Sequence, residues 1–280
     1  MRVLNVDYRS SQAPELFSKS LKETGFAVLN HHPISPELVN EAYARWQDFF
    51  SSGEHKFSYL TQKPGQDGYF PFLSENAKDR KISDLKEFFH FYPSSNKTPP
   101  ELKEITFKMY NALSGLAAEL LQWIENCMPQ EVSARLKMPL KNMIQDSPNT
   151  LLRVLHYPPI EGDVEPGAER ASAHEDINLI TLLPAATAPG LEVKDVHGNW
   201  HAVNCDPGNI VVNVGDMLQM CTQHYYKSTT HRVVNPSDVN DNHSRYSMPL
   251  FLHPCDEVQL SDEYTAFEYK MERLRAIGIY

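Results

Sequence analysis

Glycine is scarce in this chain, with 12 in 280 residues, and no two glycines are separated by a single residue. A G-x-G-x-x-G dinucleotide turn therefore cannot be written anywhere, and the lack of any Gly-Lys pair excludes a P-loop. Cysteine is scarcer still. Of the four thiols, Cys127, Cys205, Cys221 and Cys255, the closest two are 16 positions apart. That spacing excludes C-x-x-C zinc and redox sites, and so few cysteines in a chain of this length predict a reducing compartment. Positive charge is in deficit, 26 Lys and Arg against 36 Asp and Glu for a net −10, which argues against a nucleic-acid partner. No apolar run approaches the roughly 20 residues that span a bilayer. The start, Met1-Arg2-Val3-Leu4-Asn5-Val6-Asp7, has no apolar stretch of the kind found in a secretory signal. The expectation is a soluble cytoplasmic protein with neither a nucleic-acid nor a membrane partner.

What is present is an ordinary globular balance, 41% hydrophobic and 22% charged. A chain of this size buries about three quarters of the surface it exposes unfolded, enough for one sizeable core. Helix and strand signals alternate over the first hundred residues. Pro14 to Thr24 reads as a helix closed by Gly25, and Phe26 to Leu29 as a short buried strand. Ser35-Pro36-Glu37 supplies a cap, a first-position proline and a first-turn acid for a helix that runs to Gly53. Its apolar face is Val39, Ala42, Trp46 and Phe49. Gly65 to Pro71 reads as loop and Glu87 to Tyr92 as an aromatic β segment. The longest helix, 101–127, carries one stripe from Leu102 through Met109 and Leu116 to Ile124, the pattern of a packing face.

After Pro148 short β-like runs follow one another: 151–157, 179–183, 191–194, 200–203, 210–214, 229–234 and 245–252. Such a series predicts a jelly roll, and Asp262 to Ile277 reads as a closing helix. The expected fold class is mainly β with surrounding helices, as one domain over residues 1–280. Within it, 1–147 is a helix-rich N-terminal part with some core strands, 148–258 a jelly-roll core, and 259–280 a C-terminal helix.

The segment Ala173-His174-Glu175-Asp176-Ile177-Asn178 carries the chemistry. A zinc-protease H-E-x-x-H needs His at 178, where Asn178 stands. What remains is His174-x-Asp176. On a strand, residues i and i+2 share a face, so imidazole and carboxylate project together while Glu175 points away with no role assigned to it. Taken alone, this pair also fits a hydrogen-bonded His–Asp at a strand end. The best third donor is His231, in Thr229-Thr230-His231-Arg232. Two His and one carboxylate are the facial triad of non-haem Fe(II) oxygenases, which leaves open positions for O2 and a chelate. Ligating imidazoles must be neutral, so iron affinity is expected to fall as pH drops through about 6 to 7.

Beyond His231, a turn over 235–242 leads to Ser244-Arg245-Tyr246-Ser247. If the flanking segments pair as a hairpin, Arg245 lies roughly 10 Å along the partner strand from His231. Arg245 and Ser247, again i and i+2, then suit the carboxylate of a small molecule whose other end chelates the metal. His197, His201 and His224 read as turn or surface residues. Tyr69, Phe70, Phe89, Phe91 and His253 are candidates for lining a substrate pocket, without being assigned to the site.

With these residues in place, the chain resembles the isopenicillin N synthase-like oxygenases that depend on 2-oxoglutarate and Fe(II). The resemblance runs over nearly the whole chain: Leu21 to Leu29, Gly68-Tyr69-Phe70-Pro71-Phe72, Asp84 to Phe89, Gly190-Leu191-Glu192-Val193, Asn213 to Gln219, Tyr226 to Val233, and Arg245-Tyr246-Ser247-Met248-Pro249. It implies a double-stranded β-helix core, His174, Asp176 and His231 as iron ligands, and Arg245 and Ser247 on the distal carboxylate of 2-oxoglutarate. Tyr157, in Arg153-Val154-Leu155-His156-Tyr157, matches a further co-substrate contact. One departure stands out: many relatives have Asn where this chain has Leu155. The implied activity is oxidation of a small molecule by O2, as hydroxylation, desaturation or ring closure, with 2-oxoglutarate going to succinate and CO2 and ascorbate as an optional reductant. The alternatives are a same-fold Fe(II)/O2 oxidase that does not use 2-oxoglutarate, and a non-catalytic metal-binding barrel.

Overall fold

The computed structural model describes residues 1–62, 66–76, 82–162 and 164–276. Gly65 and Ile277, the edges of two expected elements, lie outside them. In chain order the strands are β1 (Asn5–Asp7), β2 (Phe26–Asn30), β3 (Gly68–Phe70), β4 (Glu87–Phe91), β5 (Leu151–Tyr157), β6 (Ala171–His174), β7 (Ile180–Pro184), β8 (Leu191–Lys194), β9 (Trp200–Ala202), β10 (Ile210–Val214), β11 (His231–Val233), β12 (Arg245–Ser247) and β13 (Leu250–Leu252). The helices are α1 (Ala13–Thr24), α2 (Pro36–Phe50), α3 (Pro100–Cys127), α4 (Gln130–Ser133), α5 (Leu140–Met143), α6 (Asp216–Cys221) and α7 (Ala266–Ala276).

The larger sheet runs β1-β2-β10-β7-β13-β5-β4-β3, with β12 also on β5; the smaller runs β6-β11-β8-β9. Strand alternation assigns the two faces of the large sheet. Ala27, Leu29, Leu182, Val212, Leu250 and Phe89 belong to the main core with α1, α2 and α3, where Trp46, Phe17 and Leu113 are fully buried. The opposite face meets the small sheet. There Phe26, Val28 and Val211 pack on Leu191 and Val193, while Phe88, Leu155 and Tyr157 pack on Ala171 and Val233. Two sheets face to face with helices on one side are the expected double-stranded β-helix class. Among the described residues no helix is long and apolar enough to cross a membrane.

Local signals explain the element ends. Ser35 accepts from Leu38 N ahead of Pro36, and Gly25 closes α1 at φ 74°. Gly25 has a second reason to be glycine, because a Cβ there would collide with Thr229 Oγ1 and the Lys227 carbonyl.

The expected hairpin between His231 and Arg245 does not form. β11 pairs with β6 and β8, whereas β12 pairs with β5 in the other sheet. The intervening residues are held to distant backbone instead of to each other. Asn235 accepts from Arg170 N and donates to the Ala168 carbonyl, and Asn242 accepts from Ile160 N and donates to its carbonyl. The single run 245–252 is two strands, because Pro249 has no N–H to give; its carbonyl instead accepts from Arg153 N. β3 lies inside the segment read as loop, and β1, β6, α4, α5 and α6 are too short for periodicity to register.

Candidate active site

His174 ends β6 and His231 begins β11, and the two are register partners with ring centroids 4.4 Å apart. Asp176 is not on a strand with His174, as the i and i+2 reading required. It sits in the loop beyond β6, and that loop is zipped to the start of α6. Asp216 N donates to the Asp176 carbonyl at 2.7 Å, Met217 N to Asn178 at 3.0 Å and Gly215 N to Leu179 at 2.9 Å. The Asp176 carboxylate is then oriented from the large sheet. Its Oδ2 accepts from Thr181 Oγ1 at 2.5 Å and from Asn213 Nδ2 at 2.8 Å, and those two residues are themselves register partners on β7 and β10.

This leaves Asp176 Oδ1 facing His174 Nε2 at 3.9 Å and His231 Nε2 at 3.7 Å. Each imidazole donates its Nδ1–H to a backbone carbonyl, His174 to Ser172 at 2.7 Å and His231 to Thr229 at 3.1 Å. Carbonyls only accept, so Nδ1 carries a proton in both rings, and the neutral form of either ring has its lone pair on Nε2. Three donor atoms within 4.8 Å of one another converge here. Burial, with His231 alongside, lowers the His174 pKa and favours the neutral ring. Burial pushes the Asp176 carboxyl up, but His231, His174 and the two hydrogen bonds outweigh it and hold the group below its ordinary value. Glu175 is not one of the three converging donors; it accepts from the Thr230 hydroxyl and lines the cavity beside them.

Arg245 and Ser247 on β12 lie opposite Tyr157 and Leu155 on β5. Alternation puts all four on the face toward the small sheet, the face of Asn213 and Thr181. Arg245 is 2% exposed. Its Nε is shared between the Ala188 and Pro189 carbonyls at 3.0 and 3.1 Å, and its Cζ stands 5.1 Å from the Tyr157 ring centroid. Its Nη1 is buried with no hydrogen-bond partner, and no acid among the described residues pairs with it. Leu155 is buried among Phe88, Tyr157, Ala171 and Val233, in the apolar cluster between the two sheets.

A cavity of about 400 Å³ opens beside His174 and Asp176. Of the residues considered as pocket lining, His253 is there. Tyr69, Phe89 and Phe91 instead belong to the core against the helices, and Phe70 stacks on Phe88 between the sheets. His201 pairs with Asp195, and His224 occupies a tight turn at φ 65°. Residue-by-residue reading missed Thr181 and Asn213, which hold Asp176, and Arg153, Lys86, His90 and Glu75 in the cavity wall. Arg153 had a signal: it lies two residues before Leu155 and therefore on the same strand face.

Comparison with known proteins follows the same division of the chain. Residues 148–254 match the model of the 2OG-Fe(II) oxygenase superfamily, and residues 6–111 that of the N-terminal region of non-haem dioxygenases in morphine synthesis. A 2-oxoglutarate-dependent dioxygenase of Monascus ruber is 31% identical, over 89% of this chain and 84% of that protein. The crystal structure of a Shewanella oneidensis protein, provisionally assigned as an oxygenase, is 47% identical with a TM-score of 0.90, covering 100% of both chains. A full-length Neurospora crassa protein, crystallised in complex with α-ketoglutarate, shares the fold at 23% identity and a TM-score of 0.83, over 97% of this chain and 95% of its own.

Proposed function

The chain belongs to the 2-oxoglutarate- and Fe(II)-dependent oxygenases, and from that membership we propose that His174, Asp176 and His231 hold the iron and that Arg245, Ser247 and Tyr157 hold 2-oxoglutarate. The enzyme uses Fe(II), 2-oxoglutarate and O2 to oxidise a small molecule. The reading that residues 1–280 form a single domain is supported by the mixed sheet, in which β2 and β4 pair directly with β10 and β5.

The single observation behind the co-substrate assignment is the Arg245 guanidinium. It is a cation with one Nη buried and unpartnered, no acid beside it among the described residues, and a hydroxyl-bearing residue two positions along the same face. A buried charge without a counter-ion is costly, and a carboxylate presented to it would be bound by charge-assisted hydrogen bonds. The donor set fits iron for a separate reason: two neutral Nε2 atoms and one carboxylate oxygen suit a divalent metal that keeps open positions. When bound, iron and 2-oxoglutarate supply O2 activation with release of succinate and CO2. The protein's own residues orient and exclude. Thr181 and Asn213 keep one oxygen of Asp176 turned away, so only the other faces the imidazoles. Leu155, Phe88 and Val233 pack against Tyr157 as a buried apolar cluster between the sheets.

Anaerobic titration with Fe(II) and 2-oxoglutarate is expected to produce a weak visible charge-transfer band, and aerobic incubation to produce succinate. His231→Ala should abolish the band. Arg245→Ala should weaken 2-oxoglutarate binding, measured calorimetrically, by about two orders of magnitude, the scale for losing a charge-assisted carboxylate contact. Unchanged 2-oxoglutarate affinity in Arg245→Ala would remove the co-substrate assignment, and an unchanged band in His231→Ala would remove the triad.

A further inference from the structure

The cavity beside His174 and Asp176 holds its charged side chains in neutral sets, with one exception. Lys86 lies 2.7 Å from Glu75 and 2.8 Å from Asp84, and Arg153 lies 2.7 Å from Glu75, so two cations and two acids close on one another. Lys270 is paired with Asp256 at 2.8 Å and Arg273 with Asp216 at 3.0 Å. Every Lys or Arg described in this wall therefore already has its acid. Glu175 lines the same cavity, and among the described residues no cation stands within ion-pair distance of it.

Nothing else in the site supplies the missing positive charge. Burial, helped by the Arg153 charge, holds His90 neutral down to about pH 3, and burial with Lys270 holds His253 neutral to about pH 4. The two charges of Fe(II) are matched by Asp176 and by the co-substrate carboxylate that chelates the metal, and the distal carboxylate is assigned to Arg245. Glu175 is the acid left over. It is half-buried, it stands in the chain between His174 and Asp176, and it accepts from the hydroxyl of Thr230, the residue before His231. That hydrogen bond ties the acid to both chain segments that carry the converging donors, so its place is set together with theirs.

A guest that fills a chamber of about 400 Å³ strips water from its wall. A neutral guest leaves the Glu175 carboxylate desolvated and unpaired, and an anionic one adds repulsion. A cation replaces the lost water with a charge-assisted hydrogen bond. We propose that Glu175 selects the primary substrate by charge, so that the substrate is a small amine bound as its ammonium form. The inference rests on the oxygenase assignment above and names the class of molecule that assignment leaves open. A carboxylate on the same molecule gains no counter-ion, because the described cations of the wall are already paired. Leu151, Ile177, Phe251 and Leu274 supply apolar wall for the carbon skeleton.

The test uses the full-length protein loaded with Fe(II) and 2-oxoglutarate under anaerobic conditions, and three probes that share one ring: benzylamine, benzyl alcohol and benzoate. Binding is read by calorimetry and from the shift of the visible band. In wild type at low salt, benzylamine should bind at least about tenfold more tightly than the other two, the scale of one charge-assisted hydrogen bond. Glu175→Gln keeps the length of the side chain and an acceptor for Thr230, and should bring the amine to within about threefold of the alcohol. Glu175→Asp, which returns the charge, should restore part of the margin. A wild-type preference for the alcohol or for benzoate, or no binding of the amine, overturns the proposal whether or not the variants fold. Equal amine affinity in wild type and Glu175→Gln overturns it too, because an amine that ligates the metal directly would be indifferent to Glu175. The oxygenase reading is scored separately on wild type, by succinate formed from 2-oxoglutarate without any probe. Succinate without amine preference sinks the substrate inference alone; absence of succinate with Fe(II) present sinks the reading beneath it.

Discussion

A histidine that gives its Nδ1 proton to a backbone carbonyl has one nitrogen left to use, and His174 and His231 both stand in that condition. Asp176 is constrained in the same way from the other side, with Oδ2 committed to Thr181 and Asn213. Removing one of those donors should loosen the carboxylate without touching a ligand atom. Thr181→Val, nearly isosteric, is expected to lower iron affinity by about 10- to 100-fold in a chelator competition, with a smaller effect on the melting temperature. Arg245 makes the opposite case. Its buried charge has no counter-ion among the described residues, so the proposed binding role comes at a cost to folding. Arg245→Met, apolar and of similar length, should raise the denaturation midpoint of the ligand-free protein while weakening 2-oxoglutarate by about two orders of magnitude. A lower midpoint in the ligand-free state would mean that the carbonyls of Ala188 and Pro189 satisfy the guanidinium fully.

Between the residue and the whole stand the elements, and one short loop carries most of the consequence. Residues 175–179 are zipped to Gly215, Asp216 and Met217. A Cβ at position 215 would collide with the Asn178 carbonyl and its Oδ1. Gly215→Ala is therefore expected to cost about 1–3 kcal/mol in urea unfolding, as overpacking does, and to weaken iron binding as well, because the displaced backbone is that of the Asp176 loop. This loop also marks the limit of what the sequence discloses. The convergence of His174, Asp176 and His231 was legible because their residue types are rare in such a pattern and because strand ends recur after Pro148. The packing stripe of α3 and the cap of α2 were legible because they depend on neighbours three and four positions away. The crossing between β11 and β12 was not, since it depends on Asn235 and Asn242 reaching Arg170, Ala168 and Ile160, residues about seventy positions earlier. Local turn chemistry at 235–242 suggested a hairpin, and those nonlocal hydrogen bonds overrode it. The place of the candidate pocket aromatics was left open by sequence and is settled by strand alternation: Phe89 and Phe91 of β4 go to the helix side, while His90 between them takes the inner face.

Folding of the whole molecule carries several neutral imidazoles out of water, and that gives the protein a pH dependence of definite sign. Burial lowers the pKa of His90 to about 3 and of His253 to about 4, and it also lowers those of His32 and His174. In the unfolded chain each takes up a proton near pH 6.5. Between about pH 6.5 and 4.5 the unfolded state therefore binds protons that His90 and His253 refuse in the native state, and stability falls as pH falls, by up to about 1.4 kcal/mol per pH unit for each of these two. Carboxylates act later. Burial raises Glu75, but Arg153 and Lys86 outweigh it and hold the group below its ordinary value, as the imidazoles do for Asp176. Their stabilising contribution is present above the ordinary carboxylate pKa and is lost only below about pH 4.5. The metal-free protein should thus lose stability in two stages, the first belonging to histidines alone. Urea midpoints measured from pH 7.5 to 4.5 are expected to decline steadily below 6.5, and His90→Phe with His253→Phe should flatten that decline. A midpoint that stays level down to pH 4.5 would show that these imidazoles take up protons in the native state as readily as in the unfolded chain.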